Sequence, residues 1–249
     1  MIVSAPAKLT RSLRITGVRA DGYHLIDAEM VTLDLADELT FDDGDRLDVE
    51  GATGLSVPTG DDNLVRRALA AVGRRAAVRL LKRIPAGAGL GGGSADAAAV
   101  LRWAGSRDLA LAARLGADVP FCLVGGRARV TGIGEVITPL EPVDLVVTLV
   151  VPPFGVTTAD VYRAWDRLGG PTGATNDLEA PALVVAPDLA RWRDRLGDAT
   201  GATPMLAGSG SAWFVEGAFP GEGRLVARAV GPAESGSATS SPDAGSASA

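Results

Sequence analysis

Residues 85–95 read Pro85-Ala86-Gly87-Ala88-Gly89-Leu90-Gly91-Gly92-Gly93-Ser94-Ala95, with five glycines between positions 87 and 93. A backbone without Cβ atoms can curl tightly and bring several N–H groups to one point. The run before it, residues 77–84, is short, apolar and bounded by a proline, which predicts a strand. The run after it, residues 94–104, carries Ala97-Ala98-Ala99 and predicts a helix able to pack closely. Glycines that connect a strand to a helix N-terminus gather loop amides, unpaired first-turn amides and the positive end of the helix dipole, the combination that binds phosphate. A flexible linker would not normally run straight from a strand into a strong helix former. The loop is not a Walker A motif, because no Lys-Ser or Lys-Thr follows the glycines, and it fits the Rossmann spacing poorly.

Outward from the loop, the first fifty residues alternate as strands at 11–16, 28–35 and 38–41, separated by turn signals at 20–22 and 42–44. Residues 63–75 show helical spacing, and 108–115 predicts another helix. Residues 119–131 read as a strand or hairpin, and 145–151 as a buried strand that opens a second domain. Helices are expected at 158–168 and 187–196, a turn and strand at 204–215, and a final helix at 223–229. From Gly231 the composition collapses to small and polar residues, which predicts a disordered tail at 231–249.

Composition removes several function classes. The chain has one histidine, His24, and one cysteine, Cys122, so Cys/His zinc centres and internal disulfides are excluded by counting. A net charge of −6 argues against a nucleic-acid groove. The N-terminal residues place Lys8, Arg11 and Arg14 where a signal peptide would be apolar, and no run approaches the length of a membrane span. The expectation is a cytoplasmic protein with no membrane and no nucleic-acid partner, monomeric or homodimeric. Of 24 basic residues only Lys8 and Lys82 are lysines, which makes each lysine more informative.

Residues 85–99 resemble the phosphate loop of the GHMP kinases, the superfamily of galactokinase, homoserine kinase and mevalonate kinase. Further stretches are similar, in order, to the branch that phosphorylates a small cytidylyl-bearing alcohol on the non-mevalonate route to isoprenoid precursors. They are Ala5-Pro-Ala-Lys-Leu9, Arg19-Ala-Asp-Gly-Tyr-His24, Asp62-Asn-Leu64, Leu115-Gly-Ala-Asp-Val-Pro-Phe121 and Gly132-Ile-Gly-Glu135, then Phe154-Gly-Val-Thr-Thr158, Val161-Tyr162, Asn176-Asp-Leu178 and Gly208-Ser-Gly210.

The resemblance implies an α+β fold of two domains. Residues 1–141 would form the N-terminal domain with the ATP loop, and 142–230 a ferredoxin-like C-terminal domain. It implies ATP, with Mg2+, as the phosphate donor held by residues 85–95, and a small-molecule cytidylyl substrate in the cleft. Lys8 and Asp118 take the catalytic positions: Asp118 accepts the hydroxyl proton and Lys8 stabilises charge at the attacking oxygen. Thr10, Tyr23, His24 and Tyr162 take the substrate positions, where two tyrosine faces can sandwich a base and an imidazole can read its edge. Thr10 stands where the family usually has Asn, and Ala95 where the loop usually has a second Ser. Magnesium ligands are not identifiable, with Ser94 the one candidate. Two other readings stay open on the residues alone: a GHMP kinase for another small alcohol, and a relative that binds nucleotide without catalysis.

Overall fold

The computed structural model describes residues 1–51, 56–170 and 174–232, and its architecture is built on one long hairpin. Strand β1 (Ile2–Val18) and strand β2 (His24–Asp42) pair antiparallel along almost their whole length. The separate strands expected at 11–16, 28–35 and 38–41 are segments of these two. β1 shifts register at Pro6/Lys8, Thr10/Ser12 and Ile15/Gly17, which lets it stay paired while bending. Pro6 donates no N–H to the ladder, so a bulge there costs little.

β2 is the hub. Its other edge is shared by three strands: β5 (Arg127–Gly132) against residues 26–31, β10 (Arg224–Val230) against residues 32–33, and β4 (Ala77–Leu81) against residues 38–42. β3 (Arg46–Glu50) adds parallel to β4, and β6 (Val136–Pro139) closes on β5. β10 continues onto β7 (Val146–Val150), which pairs with β9 (Trp213–Glu216) and so with β8 (Met205–Leu206). Among the described residues the mixed sheet therefore has ten strands. The expected boundary at 141/142 falls in the connection from β6 to β7, and we propose it as the domain division; β10 is the strand that returns across it.

Helix α1 (Leu64–Ala71) is capped by Asn63, whose side chain accepts from the Val65 amide. α2 (Gly92–Trp103), α3 (Leu109–Leu115) and α4 (Val119–Val124) pack with it over the β1–β2 hairpin. α2 is buried on every side, with Ala95, Ala97, Ala98, Ala99, Val100 and Leu101 fully inaccessible. Its alanines let neighbouring backbones approach closely, so the alanine run is a packing device. Of the remaining helices, α5 (Thr158–Leu168), α6 (Glu179–Val185) and α7 (Leu189–Thr200), α7 packs on β9, and α6 packs against both α5 and α7.

Two expectations are corrected. Residues 119–124 are helical because Pro120 suits a first turn and because Val119, Pro120, Phe121, Cys122 and Leu123 are buried in unbroken succession, which leaves no alternating face for a half-exposed strand. Residues 224–230 form a strand and not a helix, since two unfilled strand edges, β7 and β2, offer their hydrogen bonds. The expected tail begins with Gly231 and Pro232, and Pro232 lies against Gly126. The rest of it, 233–249, lies outside the described residues. Among the described residues no helix is long and apolar enough to cross a membrane.

Candidate active site

The glycine loop runs from the end of β4 into the first turn of α2. Gly91 is the N-cap of α2, with φ +69°, and the amides of residues 91–94 have no intrahelical partner. The loop is gripped from both sides. From β1, the Lys8 amide donates to the Leu90 carbonyl at 3.0 Å. From the 207–212 segment, the Ala212 amide donates to Ala88 at 3.0 Å and the Ser211 amide to Gly87 at 3.3 Å. The contact is too close for side chains: a Cβ on Gly89 would lie 2.7 Å from the Gly210 carbonyl oxygen.

The family-aligned residues converge on one cleft of about 1000 Å³, lined by Lys8, Thr10, Tyr23, His24, residues 85–94, Asp118, Tyr162 and Ser209. Lys8 and Asp118, 110 positions apart in sequence, form an ion pair with Nζ 3.2 Å from Oδ2. Lys8 is almost wholly buried, whereas the Asp118 side chain keeps 31% of its exposure. The carboxylate thus faces the cleft with the ammonium behind it. Asp118 occupies the N-cap position of α4 without capping it, which leaves its oxygens for other work.

Thr10 is 1% exposed, and its hydroxyl accepts from Lys8 Nζ at 3.1 Å. It lines the cleft and also fixes the lysine. Ala95 is fully buried with its amide committed to the Gly91 carbonyl, and of the eleven loop positions it is the one that does not line the cleft.

The base-reading candidates sit where the β1–β2 turn meets α5. The turn closes through the Arg19 amide to the Tyr23 carbonyl at 2.7 Å, with the Arg19 guanidinium held by Asp21. Tyr23 stands 58% exposed at the rim. The His24 ring lies 4.7 Å from the Tyr162 ring and edge-on to Trp165 at 5.4 Å. His24 Nε2 is 2.7 Å from Asp166 Oδ1. Burial pushes the Tyr162 phenol well above its ordinary range, and the charge of Asp118 adds to that effect, so the hydroxyl stays neutral.

Two features of this region were not assigned roles from sequence. Asn176 donates to the carbonyls of Leu206 and Gly208 at 2.9 and 2.7 Å, and Asp177 accepts from the Ile15 amide and from Arg14. Together they tie the 206–210 segment to β1, and their place in the family-like stretch Asn176-Asp-Leu178 was the one signal for them in the sequence. Below the loop, Lys82 contacts both Asp37 and Asp96, and all three are buried. The scarcity of lysine was the signal for Lys82. Burial pushes the Asp96 carboxyl up to about 7, although Lys82 pulls the other way. Burial also works against the Lys82 charge, but Asp96 and Asp37 outweigh it and hold the ammonium above its ordinary range.

The fold and this site, a glycine cradle facing a Lys–Asp pair, define a small-molecule kinase of the GHMP type. Residues 63–126 match the model of the GHMP kinases N terminal domain. The chain is 38% identical to 4-diphosphocytidyl-2-C-methyl-D-erythritol kinase from Paracoccus denitrificans over 85% of each sequence. It is also 38% identical to the enzyme of that name from Ruegeria pomeroyi, over 91% of this chain and 92% of the relative. A crystal structure of 4-(cytidine 5'-diphospho)-2C-methyl-D-erythritol kinase superposes with a TM-score of 0.71 at 32% identity, covering 93% of this chain and all of the other. Homoserine kinase from Cytophaga hutchinsonii, at 18% identity and a TM-score of 0.57, shares the fold. The chain belongs to the 4-diphosphocytidyl-2-C-methyl-D-erythritol kinase family.

Proposed function

We propose that this protein transfers the γ-phosphate of ATP to the 2-hydroxyl of 4-diphosphocytidyl-2-C-methyl-D-erythritol, a step in the non-mevalonate synthesis of isoprenoid precursors. The observation that carries the chemistry is the Lys8–Asp118 pair at 3.2 Å, in the same cleft as the glycine cradle. The cradle holds the nucleotide polyphosphate through the amides of residues 91–94 and the N-terminal dipole of α2. Asp118 accepts the proton of the substrate hydroxyl while its oxygen bonds to the γ-phosphorus and the bridging bond to ADP breaks. Lys8, fixed by Thr10, balances the negative charge of the attacking oxygen as that bond forms.

Among the described residues no cluster of three carboxylate, histidine or cysteine side chains exists to hold a metal alone. That donor set fits a Mg2+ that arrives on the nucleotide, since Mg2+ commonly keeps its waters and phosphate ligands and takes one or two protein groups. Ser94, in the first turn of α2 on the cleft wall, is the protein group we propose for it. When bound, the ion would neutralise charge on the β- and γ-phosphates.

The cytidylyl half of the substrate is assigned to Tyr23, His24 and Tyr162. His24 and Tyr162 form one aromatic wall, and Tyr23 supplies a ring at the rim. We also propose a cytosolic location, in keeping with a lone buried cysteine. The test is a phosphoryl-transfer assay with Mg-ATP and three acceptors: the cytidylyl substrate, mevalonate and homoserine. Turnover of the first at least about a hundredfold above the others is expected, the scale of discrimination when a site reads polar groups. Equal turnover of a simple alcohol would reduce the reading to an unspecified small-molecule kinase.

A further inference from the structure

Outside the reacting residues, the most unusual group of side chains in the molecule is buried beneath the loop. Lys82 immediately follows β4, Asp37 lies in β2, and Asp96 lies in α2. Their side chains are 3%, 0% and 4% exposed. Charged residues are almost never this deep unless paired, and a buried cluster is weak evidence for stability alone, because desolvation offsets much of the attraction. Its position therefore needs another account.

The hydrogen bonds supply one. Asp37 accepts from Lys82 through Oδ2, and through Oδ1 it accepts the amides of Arg83 and Ile84 at 2.6 and 2.8 Å. Lys82 also donates to Asp96 Oδ2 at 2.9 Å. Residues 82–84 are the point where the chain leaves β4 for the loop, and Asp96 is the point, one turn into α2, where it has left the loop. The cluster stitches the two ends of residues 85–95 together. It also touches the cradle floor: a Cβ on Gly92 would lie 3.1 Å from Lys82 Nζ. Lys82 and Asp96 line the nucleotide cleft, and Asp96 Oδ1 is buried without any hydrogen-bond partner.

We infer that Lys82, Asp37 and Asp96 are positioning residues for the nucleotide, setting the curvature of the phosphate loop by clamping its two ends. The inference rests on the reading of residues 85–95 as the ATP cradle. Asp37 acts through the Arg83 and Ile84 amides, and Lys82 acts through Asp96. None of the three touches the alcohol substrate's side of the site at Asp118. The clamp consequently governs ATP and leaves the acceptor alone. Displacements of about 1 Å in a positioning shell can cost roughly a hundredfold in rate, so a released clamp is readily measured.

The experiment compares Asp96→Ala, Asp96→Ser and Asp96→Asn in the full chain. Asn keeps an oxygen for Lys82; Ala and Ser cannot reach it. Expected is a KM for ATP raised at least about tenfold in Asp96→Ala and Asp96→Ser, with the KM of the cytidylyl acceptor within about twofold, and recovery of most of the loss in Asp96→Asn. Binding of a fluorescent ATP analogue gives the same comparison independently of turnover. A wild-type protein that binds the analogue but phosphorylates no acceptor would sink the proposed function and leave the clamp testable by binding. Unchanged ATP affinity in folded Asp96→Ala overturns the inference. So does failure of both Ala and Ser variants to fold while Asp96→Asn is fully active, because the cluster would then be a brace of the core and nothing more.

Discussion

A β-carbon placed on Gly91 would lie 2.7 Å from Cγ of Lys8, so the last bend of the glycine loop and the Lys8 side chain occupy adjoining space. Gly91 also holds φ +69°, a left-handed conformation that costs an ordinary residue about 1–2 kcal/mol. Gly91→Ala should therefore do two things at once. It should weaken ATP binding by distorting the cradle, and it should lower kcat at least about tenfold by pushing Lys8 off Asp118. Calorimetry with a non-hydrolysable nucleotide and steady-state kinetics separate the two. A folded variant with wild-type kcat would mean that Lys8 tolerates displacement and is not held to its task by the loop.

Asp118→Asn should keep both ligands and lose at least about a hundredfold in kcat, the usual scale for a general base. The amide preserves shape beside Lys8 but cannot accept the proton. Lys8→Ala should lose a similar factor, and the double variant should lose little more than either single one, because a pair 3.2 Å apart acts as a unit. Additive losses would indicate that the two residues serve separate steps.

At the other end of the cleft, Tyr162→Ala should raise the KM of the cytidylyl substrate by an amount equivalent to about 1–3 kcal/mol, the range for stacking on a base. Tyr162→Phe should cost little, since its hydroxyl is buried and neutral and stacking uses the ring face. His24→Ala should act on discrimination between cytidine and uridine analogues, and Asp166→Ala should act in the same direction more weakly through the 2.7 Å contact with Nε2. The KM for ATP should stay constant in all of them. Loss of thermal stability with unchanged KM values would reduce these residues to packing.

The buried Asp96 predicts an unusual pH dependence of stability. Its carboxyl is pushed up to about 7 in the folded protein, above its ordinary value of 3.8. As pH rises from about 4 to about 7, the unfolded chain has released this proton and the folded one has not. The folded state then binds more protons, so this group's contribution to stability is fully present at the acid end and is lost as pH approaches 7. Asn cannot titrate. The melting temperature of Asp96→Asn should therefore gain on that of the parent between pH 5 and pH 8. A constant difference across that range would show that Asp96 is ionised throughout.

The sequence by itself determined the glycine loop and the strand and helix that flank it, because these depend on local backbone freedom and on residue types in fixed order. Five glycines between a strand and a helix allow a cradle wherever they occur. The helical spacing of residues 158–168 and the strand character of 146–150 were likewise legible, being set by periodicity within one segment. Tertiary structure decided what depends on partners distant in sequence. Residues 224–230 carry no strong preference and became a strand because β7 and β2 each presented an open edge. Residues 119–124 read as β-type and became a helix because their apolar side chains are buried all round, which no alternating strand permits. Thr10 was legible as a substrate position where the family usually has Asn, but its hydrogen bond to Lys8, on the same face of β1, required the side-chain geometry. The Lys82–Asp37–Asp96 cluster joins positions up to 59 apart in sequence, Asp37 to Asp96, and a buried charge can be recognised only when the fold shows what neutralises it.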